Sequence, residues 1–455
     1  MKEILQGLRE YFRTDVTWDV SWREGQLRAL MRMLEEQRGT LTDALHADLG
    51  KSAEEAWLTE IGFVEHEARH VLKHLRGWCK PQRVSTPMFL QPASSFVRAQ
   101  PRGLALIIAP WNYPAQLAVS PLIAAIAAGD VCVIKPSEIS SATAAWFAKY
   151  IPEYLDPKAF AVIEADVKGT TELLREPFDF IFFTGSTATA KHIARAAAEH
   201  LTPTVLELGG KSPCIVTNCH KLAIAANRIV FAKFINAGQT CVAPDYVIVQ
   251  ESQREALETE LKRALYEQFG CENAPSGMGH IINERHFDRL DAMFDNGEII
   301  LYGGARSRET LTIAPTLMEV ELSHPCMQEE IFGPILPIIS VAGSDIMPIT
   351  RRIVDLHPTP LACYLFSDSE RDEAECRKII SGGYCHNDAL MHLSNVHLPF
   401  GGVGTSGHGS SHGIAGFRAF SHLRAELDQS ASIDIPLRYP PFTERSMTWL
   451  RRFMR

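Results

Sequence analysis

One cysteine of the chain has a sequence context that suits a nucleophile. Cys241 follows the segment 236–240, Asn-Ala-Gly-Gln-Thr, which lies between a predicted helix and a predicted strand. A turn there can expose the thiol, whereas the other cysteines among the 10 in the chain are better interpreted as small, inert core residues. A thiolate that attacks carbon forms a covalent intermediate, which divides a difficult reaction into easier steps. The context therefore predicts covalent catalysis through Cys241.

Two further residues have types that can assist such a thiol. Glu207 ends a predicted strand between apolar residues, where burial would raise the pKa of its carboxyl group and suit a general base. The alternative is a strand-end carboxylate bound by backbone amides. Asn112 follows another predicted strand, and its side-chain amide can donate a hydrogen bond to a developing oxyanion. A turn-forming asparagine before Tyr-Pro is the alternative interpretation of Asn112.

Two phosphate-binding patterns occur in the chain without the context that they need. The segment 402–407 fits G-x-G-x-x-G, but a glycine- and serine-rich loop follows it instead of a helix and further βαβ units. The run 210–212, Gly-Lys-Ser, resembles the end of a P-loop, but the required first glycine would fall at Val205. Neither pattern predicts a nucleotide site by itself.

Short apolar runs that alternate with alanine-rich segments indicate the elements that position these side chains. Buried strands are predicted at 104–109, 131–135, 160–164, 179–183, 204–207, 214–217, 247–250, 335–341 and 362–366. The segments between them and residues 1 to about 80 are typical of helices, so the predicted fold class is α/β with a doubly wound parallel sheet. Ligands bind beyond the carboxyl ends of such strands. An edge hairpin is predicted at 88–99 and a long loop at 401–416.

The composition excludes several classes of protein. The 455 residues, 46% hydrophobic and 22% charged, predict two or three globular domains. A net charge of −9 without a long basic run argues against nucleic-acid binding. There is no C-x-x-C pair, so no metal site is predicted. The N-terminus lacks the apolar core of a signal peptide and no apolar stretch is long enough to span a membrane, which predicts a cytoplasmic location.

Six segments, in order along nearly the whole chain, resemble the motif set of the NAD(P)-dependent aldehyde dehydrogenase superfamily. They are Pro110-Trp-Asn-Tyr-Pro114, Ile134-Lys-Pro-Ser-Glu138, Phe183-Thr-Gly-Ser186, Glu207-Leu-Gly-Gly-Lys-Ser-Pro213, Asn236-Ala-Gly-Gln-Thr-Cys241 and Glu330-Ile-Phe-Gly-Pro334. The short N-terminus and the segments 241–246 and 398–404 resemble the class 3 branch, which includes fatty and aromatic aldehyde dehydrogenases. Two positions depart from the pattern: Ala190 stands where glycine is usual, and His408 where an apolar residue is expected.

The resemblance implies an architecture as well as a motif set. It implies a Rossmann-like cofactor domain (1–80 and 101–207), a second α/β catalytic domain (208–395), a small β bridging and oligomerisation element (81–100 and 396–430) and a C-terminal tail (431–455). It also implies a homodimer. The tail is basic and aromatic, so it can dock on the acidic body or a partner subunit, with peripheral membrane contact as the less favoured alternative.

The resemblance also implies roles for individual residues. Cys241 would be the nucleophile and Glu207 the general base, while Asn112 and the Cys241 backbone N–H would form the oxyanion hole. The cofactor, NAD or NADP, would contact Trp111, Lys135, Glu138, Gly185, Ser186, Leu208, Gly209, Glu330 and Phe332. The tunnel for a small-molecule aldehyde would be lined by Tyr113, Leu117, Phe231, Ile235, Thr240 and Phe400.

The implied reaction oxidises an aliphatic or aromatic aldehyde to the carboxylic acid. It proceeds through a thiohemiacetal and a thioester on Cys241, and water activated by Glu207 hydrolyses the thioester. One alternative is a CoA-acylating aldehyde dehydrogenase, against which Glu207 argues because it favours water as the acceptor. The other is a cofactor-independent thiol esterase or a structural paralogue, against which the retained Lys135, Glu138 and Glu330 argue.

Overall fold

The computed structural model describes residues 1–453, and Met454 and Arg455 of the predicted tail lie outside the described residues. The first large sheet has six strands, in the order Gly407–His408, Thr204–Glu207, Phe180–Thr184, Leu104–Ile108, Val131–Lys135 and Phe160–Val162. Every neighbouring pair is parallel except the first, which is antiparallel. The helices Gln116–Ala128, Ser141–Tyr154, Val167–Leu173 and Thr187–Glu199 connect its parallel strands.

The N-terminal helices complete the core of this sheet. They are Lys2–Phe12, Val20–Glu36, Arg38–Leu49, Ala53–Ala56 and Gly62–Trp78. The helix Gln116–Ala128 lies between them and the sheet, and every residue of it except Leu117 is buried. A helix that is apolar on all sides is stable only in such a sandwiched position, which explains its alanine- and isoleucine-rich sequence.

The second large sheet has seven strands and carries its own core. The strand order is Ile299–Tyr302, Thr316–Glu319, Ile335–Val341, Tyr246–Gln250, Pro213–Val216, Ala362–Phe366 and Gly383–His386, and only the first pair is antiparallel. The accompanying helices are Leu222–Phe234, Arg254–Phe269, Glu284–Asp291, Met347–Val354 and Glu370–Cys376. Two parallel sheets flanked by helices confirm the predicted α/β fold class.

A smaller antiparallel sheet brings distant parts of the chain together. The strand Ala93–Pro101 pairs on one side with Gln82–Val84 and on the other with Ser421–Gln429. The hairpin predicted at 88–99 was therefore misplaced, because that segment contains only a turn and part of one strand. Short two-stranded ribbons at 270–275 and 306–313 complete the strands.

The segment predicted as a loop at 401–416 is partly ordered into elements. Gly407 and His408 join the edge of the first sheet, and the helix Gly413–Ala419 begins within the segment. A final helix, Glu444–Phe453, lies in the tail and contacts the turn Met88–Leu90. Among residues 1–453, no helix is both long and apolar enough to cross a bilayer.

Candidate active site

Two cavities meet at Cys241. One has a volume of about 120 Å³ and is mostly apolar, and the other is a cleft of about 290 Å³ at the carboxyl ends of the first sheet's strands. Their linings share Thr184, Glu207, Leu208 and Cys241. The thiol and the carboxyl group can therefore act on a molecule in either cavity.

The loop that carries Cys241 has an unusual backbone. Asn236, Ala237 and Gly238 have φ angles of 54°, 51° and 72°, so three successive residues are left-handed. Glycine is required at 238, because a Cβ there would lie 2.2 Å from the carbonyl oxygen of Gly333. This turn ends the helix Leu222–Phe234 and leaves Cys241 partly exposed, in agreement with the predicted turn.

The environment of Cys241 favours the neutral thiol. Burial raises the pKa of the thiol to about 12, and the carboxyl groups of Glu330 and Glu207 act in the same direction. A nucleophilic thiolate therefore needs either a proton acceptor or added positive charge beside it.

Glu207 is a buried carboxyl group that lines both cavities together with Cys241. Its side chain is buried at 3% exposure, and burial raises the pKa of its carboxyl group to about 8. Oε1 accepts a hydrogen bond from the Ser411 hydroxyl at 3.4 Å, and Oε2 has no partner among residues 1–453. A carboxyl group that titrates near neutral pH with one free oxygen is suited to accept a proton from water.

A buried ion pair contacts the backbone of Asn112. The side-chain Nδ2 of Asn112 donates to the backbone carbonyl of Gln239 at 3.0 Å. Its backbone carbonyl accepts from Asn236 Nδ2 at 2.8 Å and from Lys51 Nζ at 3.3 Å. Lys51 Nζ lies 2.5 Å from Glu60 Oε1, and both side chains are fully buried. Lys51 and Asn236 thereby hold the backbone of Asn112, and the bond from Nδ2 to Gln239 holds its side chain, which lines the cleft.

Lys51 and Glu60 were not identified from the sequence. They lie in the N-terminal helical region, where charged residues usually face solvent. The sequence contains no signal that separates this pair from the many other charged residues of the helices, because the backbone that Lys51 contacts lies about 60 residues further along the chain.

Seven of the predicted cofactor residues line the cleft of about 290 Å³. They are Trp111, Gly185, Ser186, Leu208, Gly209, Glu330 and Phe332. Lys135 and Glu138 lie at the end of the neighbouring strand, outside that lining, and Lys135 Nζ is 2.5 Å from Glu138 Oε2.

The cleft has the features that a dinucleotide requires. Ser186 caps the helix Thr187–Glu199 through a hydrogen bond from Thr189 N–H at 3.2 Å, so the N-terminus of that helix, which favours phosphate groups, adjoins the cleft. At Gly209 a Cβ would lie 2.0 Å from Glu330 Oε2, so only glycine allows this carboxyl group to approach the backbone. Burial, with help from Asp245, raises the pKa of Glu330 to about 8.

A buried network holds the loop that carries Glu330. Lys211 Nζ lies 2.6 Å from Asp245 Oδ2 and donates to the carbonyls of Cys326 and Glu329 at 2.6 and 3.0 Å. Arg289 Nη2 donates to the carbonyl of Ile331 at 2.6 Å. Sequence reasoning missed Arg289 and the nearby His286, which both line the cleft from the helix Glu284–Asp291.

All six residues predicted for the tunnel line the apolar cavity. They are Tyr113, Leu117, Phe231, Ile235, Thr240 and Phe400. The Tyr113 hydroxyl lies 2.5 Å from Thr240 Oγ1, which ties the wall to the residue that precedes Cys241. The structure adds Phe63, Met391 and His412 to the lining, from three segments far apart in the chain.

The two departures from the family pattern lie near the first sheet. Ala190 is buried in the helix Thr187–Glu199, and His408 is exposed in the edge strand, with Nε2 2.7 Å from Thr204 Oγ1. His408 therefore contributes to strand pairing rather than to either cavity.

Comparison with known sequences agrees with this geometry. Residues 2–425 match the profile of the aldehyde dehydrogenase family. The chain is 44% identical over 451 residues to aldehyde dehydrogenase family 3 member B1 of Rattus norvegicus. The alignment covers 97% of this chain and 95% of the relative. It is 41% identical over 444 residues to 4,4'-diaponeurosporen-aldehyde dehydrogenase of Staphylococcus aureus, which covers 95% of each chain.

The fold is also similar to that of solved structures. The substrate-bound state of Staphylococcus aureus AldH has a TM-score of 0.96 and 38% identity, and the match covers 100% of this chain and 99% of that one. The resemblance found in the motifs is thereby confirmed. The chain belongs to the aldehyde dehydrogenase family, whose members oxidise aldehydes to carboxylic acids with NAD or NADP.

Proposed function

We propose that this protein is a cytoplasmic NAD(P)-dependent dehydrogenase of aliphatic or aromatic aldehydes. The observation that carries the proposal is the position of Cys241 and Glu207 where an apolar cavity meets a cleft suited to a dinucleotide. All 10 cysteines are free thiols, which supports a reducing compartment. The test is the appearance of reduced nicotinamide when the protein is mixed with NAD⁺ or NADP⁺ and a panel of aldehydes.

In the first half-reaction the thiol of Cys241 loses its proton to solvent, and the thiolate sulfur attacks the aldehyde carbon. The Asn112 amide and the Cys241 backbone N–H stabilise the oxyanion that forms on the aldehyde oxygen. A nicotinamide cofactor held in the cleft by Trp111, Glu330 and Phe332 would supply the acceptor for the hydride that leaves this carbon. Glu330, Trp111 and Phe332 line the cleft and orient what binds there.

In the second half-reaction Glu207 takes a proton from water, whose oxygen attacks the thioester carbon. The bond between carbon and sulfur then breaks. The carboxylic acid leaves the site, and Cys241 is regenerated as the thiolate. Glu207 must be ionised for this step, and its pKa of about 8 means that the ionised fraction rises through that pH. Water as the acceptor disfavours the CoA-acylating alternative, and the cofactor cleft disfavours a thiol esterase.

The lining of the apolar cavity supports the substrate class. Among the residues that line it, Glu207 is the sole carboxylate and no lysine or arginine occurs. A second carboxylate on the substrate would therefore have no lysine or arginine to pair with. An alkyl or aryl chain would contact Phe63, Phe231 and Phe400. The relative from Staphylococcus aureus is named 4,4'-diaponeurosporen-aldehyde dehydrogenase, which agrees with an aldehyde substrate.

Replacing Asn112 with alanine should lower kcat by about 10²–10³, the usual effect of removing one oxyanion-hole donor. The KM for aldehyde should change little, because the bond to the oxyanion forms only in the transition state. Steady-state kinetics measures both parameters. Lys51→Met is the companion variant: it leaves the amide in place but removes its support, so a smaller loss of kcat is expected. An unchanged kcat for Asn112→Ala would contradict the assigned role.

Both NAD⁺ and NADP⁺ should serve as cofactor. A free ribose 2′-hydroxyl can bond to Glu138, whereas a 2′-phosphate is repelled by Glu138 but attracted by Lys135, its partner at 2.5 Å. The variant Glu138→Gln should therefore raise the ratio of kcat/KM for NADP⁺ over NAD⁺ by about tenfold. In the wild type, kcat/KM values that differ by more than about a thousandfold, roughly 4 kcal/mol, would refute dual use.

The domain organisation and a homodimer are part of the same proposal. The sheet order supports a cofactor domain at 1–80 and 101–207, a catalytic domain at 208–395 and a bridging element at 81–100 and 396–430. The strands Ser421–Gln429 and Gly383–His386 are edge strands of their sheets. A second subunit can cover such exposed edges.

Deleting residues 440–455 should change assembly or stability rather than membrane binding. The helix Glu444–Phe453 contacts the turn Met88–Leu90 with Ser446 buried, which supports a docked tail. Size-exclusion chromatography and thermal unfolding measure the expected change. Co-sedimentation with anionic vesicles is the control, and strong, salt-sensitive binding by the full-length protein alone would overturn the docked tail.

A further inference from the structure

The carboxylate of Glu207 has one side-chain partner among residues 1–453. This partner is Ser411, whose single hydroxyl proton is shared between Oε1 at 3.4 Å and the carbonyl oxygen of Phe400 at 3.3 Å, while Oε2 has none. Ser411 is separated from Glu207 by about 200 residues, and both line the apolar cavity beside Cys241. The orientation of the general base therefore depends on a residue that the reaction scheme does not yet include.

Ser411 is itself held rigidly. Phe400 N–H donates to its carbonyl at 3.2 Å, and Ser411 N–H donates to the Phe400 carbonyl at 2.7 Å. The next residue, His412, has a φ of 68°, and its ring stacks on Phe400 with 5.1 Å between centroids. Left-handed backbone in a residue other than glycine persists only where its surroundings hold it. Gly413 N–H, which donates to Glu67 at 3.2 Å, completes this support.

The lining of the same cavity contains buried polar atoms without a partner among residues 1–453. They are Thr184 Oγ1, Glu207 Oε2 and His412 Nδ1. Buried polar atoms in proteins are almost always hydrogen-bonded, to ordered water where protein partners are missing. The three atoms therefore indicate a site for water next to Glu207.

We propose that Ser411 is a positioning residue for thioester hydrolysis, and that its hydroxyl aims Glu207 at a water molecule held beside Thr184 and His412. This inference rests on the proposed function. A proton passes from that water to Glu207, the water oxygen bonds to the thioester carbon, and the sulfur of Cys241 leaves with the electron pair of the broken bond. The hydroxyl also stabilises the ionised form of Glu207, because a hydrogen bond to a carboxylate is stronger than one to the neutral acid.

The consequence is a specific change in pH dependence. Loss of the Ser411 hydroxyl should raise the pKa of Glu207 further, since the hydrogen bond from Ser411 opposes the effect of burial. The other titratable residues that line the two cavities are Tyr113, Cys241, His286, Arg289, Glu329, Glu330 and His412. None of these residues is altered in the Ser411 variant. A shift in the midpoint of its kcat–pH profile relative to the wild type therefore reports on the loss of the Ser411 hydroxyl.

The decisive experiment compares Ser411→Ala with the neighbouring control Ser410→Ala and the conservative variant Ser411→Thr. Enzyme mixed with aldehyde and NAD⁺ is quenched, and mass spectrometry measures the fraction of Cys241 that carries the acyl group. In Ser411→Ala we expect acyl-enzyme to accumulate, kcat at pH 7 to fall about tenfold, and the midpoint of the kcat–pH profile to rise by about half a unit. Ser411→Thr should retain kcat within about threefold, and Ser410→Ala should match the wild type.

An unchanged acyl-enzyme fraction and pH midpoint in Ser411→Ala would overturn the inference alone. A loss of the same size at every pH in both alanine variants would also overturn it, because that result indicates a general disturbance of the loop. If the wild type forms neither acyl-enzyme nor reduced cofactor, the proposed function fails as well. Thermal unfolding of each variant confirms that folded protein is compared.

Discussion

Replacing Cys241 with alanine is expected to lower the rate of aldehyde oxidation by at least about 10⁴-fold, because no other group near the two cavities can form the covalent intermediate. The Kd for NAD⁺ should stay within about threefold of the wild-type value, since the thiol is a small part of the cleft. Stopped-flow absorbance of reduced nicotinamide measures the first quantity, and fluorescence titration with NAD⁺ measures the second.

Cys271→Ala is the matched control for this variant. Cys271 is the one exposed cysteine of the chain and lines neither cavity, so its loss should leave kcat unchanged. Alkylation with iodoacetamide should inactivate the wild type and the Cys271 variant alike, with protection by aldehyde and cofactor. Substantial oxidation by Cys241→Ala would remove the thiol from the mechanism.

Replacing Glu207 with glutamine should slow hydrolysis of the thioester more than its formation. The expected trace is a burst of reduced cofactor followed by a steady state slower by about 10²–10⁴-fold, which is the range for losing a general base. In the wild type, hydrolysis should accelerate as the pH rises through about 8, the pKa to which burial raises Glu207. The glutamine variant should lack this rise, because it has no carboxylate to ionise.

Glu330→Gln provides a contrast that is matched in side-chain size. Glu330 also has a pKa raised to about 8, but it lies on the cofactor side of Cys241. Its loss should slow hydride transfer and therefore abolish the burst that Glu207→Gln retains. If Glu207→Gln also lacks the burst, Glu207 is needed to activate the thiol and not only to activate water.

Nine of the thirteen strands in the two large sheets could be predicted from the sequence, whereas Ile299–Tyr302, Thr316–Glu319, Gly383–His386 and Gly407–His408 were not predicted. The strands Val131–Lys135, Thr204–Glu207, Ile335–Val341 and Ala362–Phe366 begin and end where the apolar runs predict. Parallel strands buried on both faces are continuous apolar segments, so their positions are local information. The residues that follow them are then expected at the ligand-binding edge, which is where Asn112 and Glu207 lie.

The contacts between distant segments could not be predicted in this way. The strand Ala93–Pro101 pairs with Ser421–Gln429, more than 300 residues later, as well as with Gln82–Val84, so the local sequence placed the hairpin wrongly within 88–99. In the same way Lys51 and Glu60 look like surface charges, and Ser411 looks like a loop residue. Their roles depend on partners that only the folded chain brings within hydrogen-bond distance.

The sequence by itself determined the family, the order of the strands along the chain and the identity of the residues expected to do the chemistry. Only the tertiary structure decided how those residues are supported: a buried ion pair behind Asn112, a charged network under the Glu330 loop and the hydroxyl of Ser411 on Glu207. The physical reason is that a motif is a local pattern, whereas the pKa and orientation of a buried group depend on burial and on partners from elsewhere in the chain.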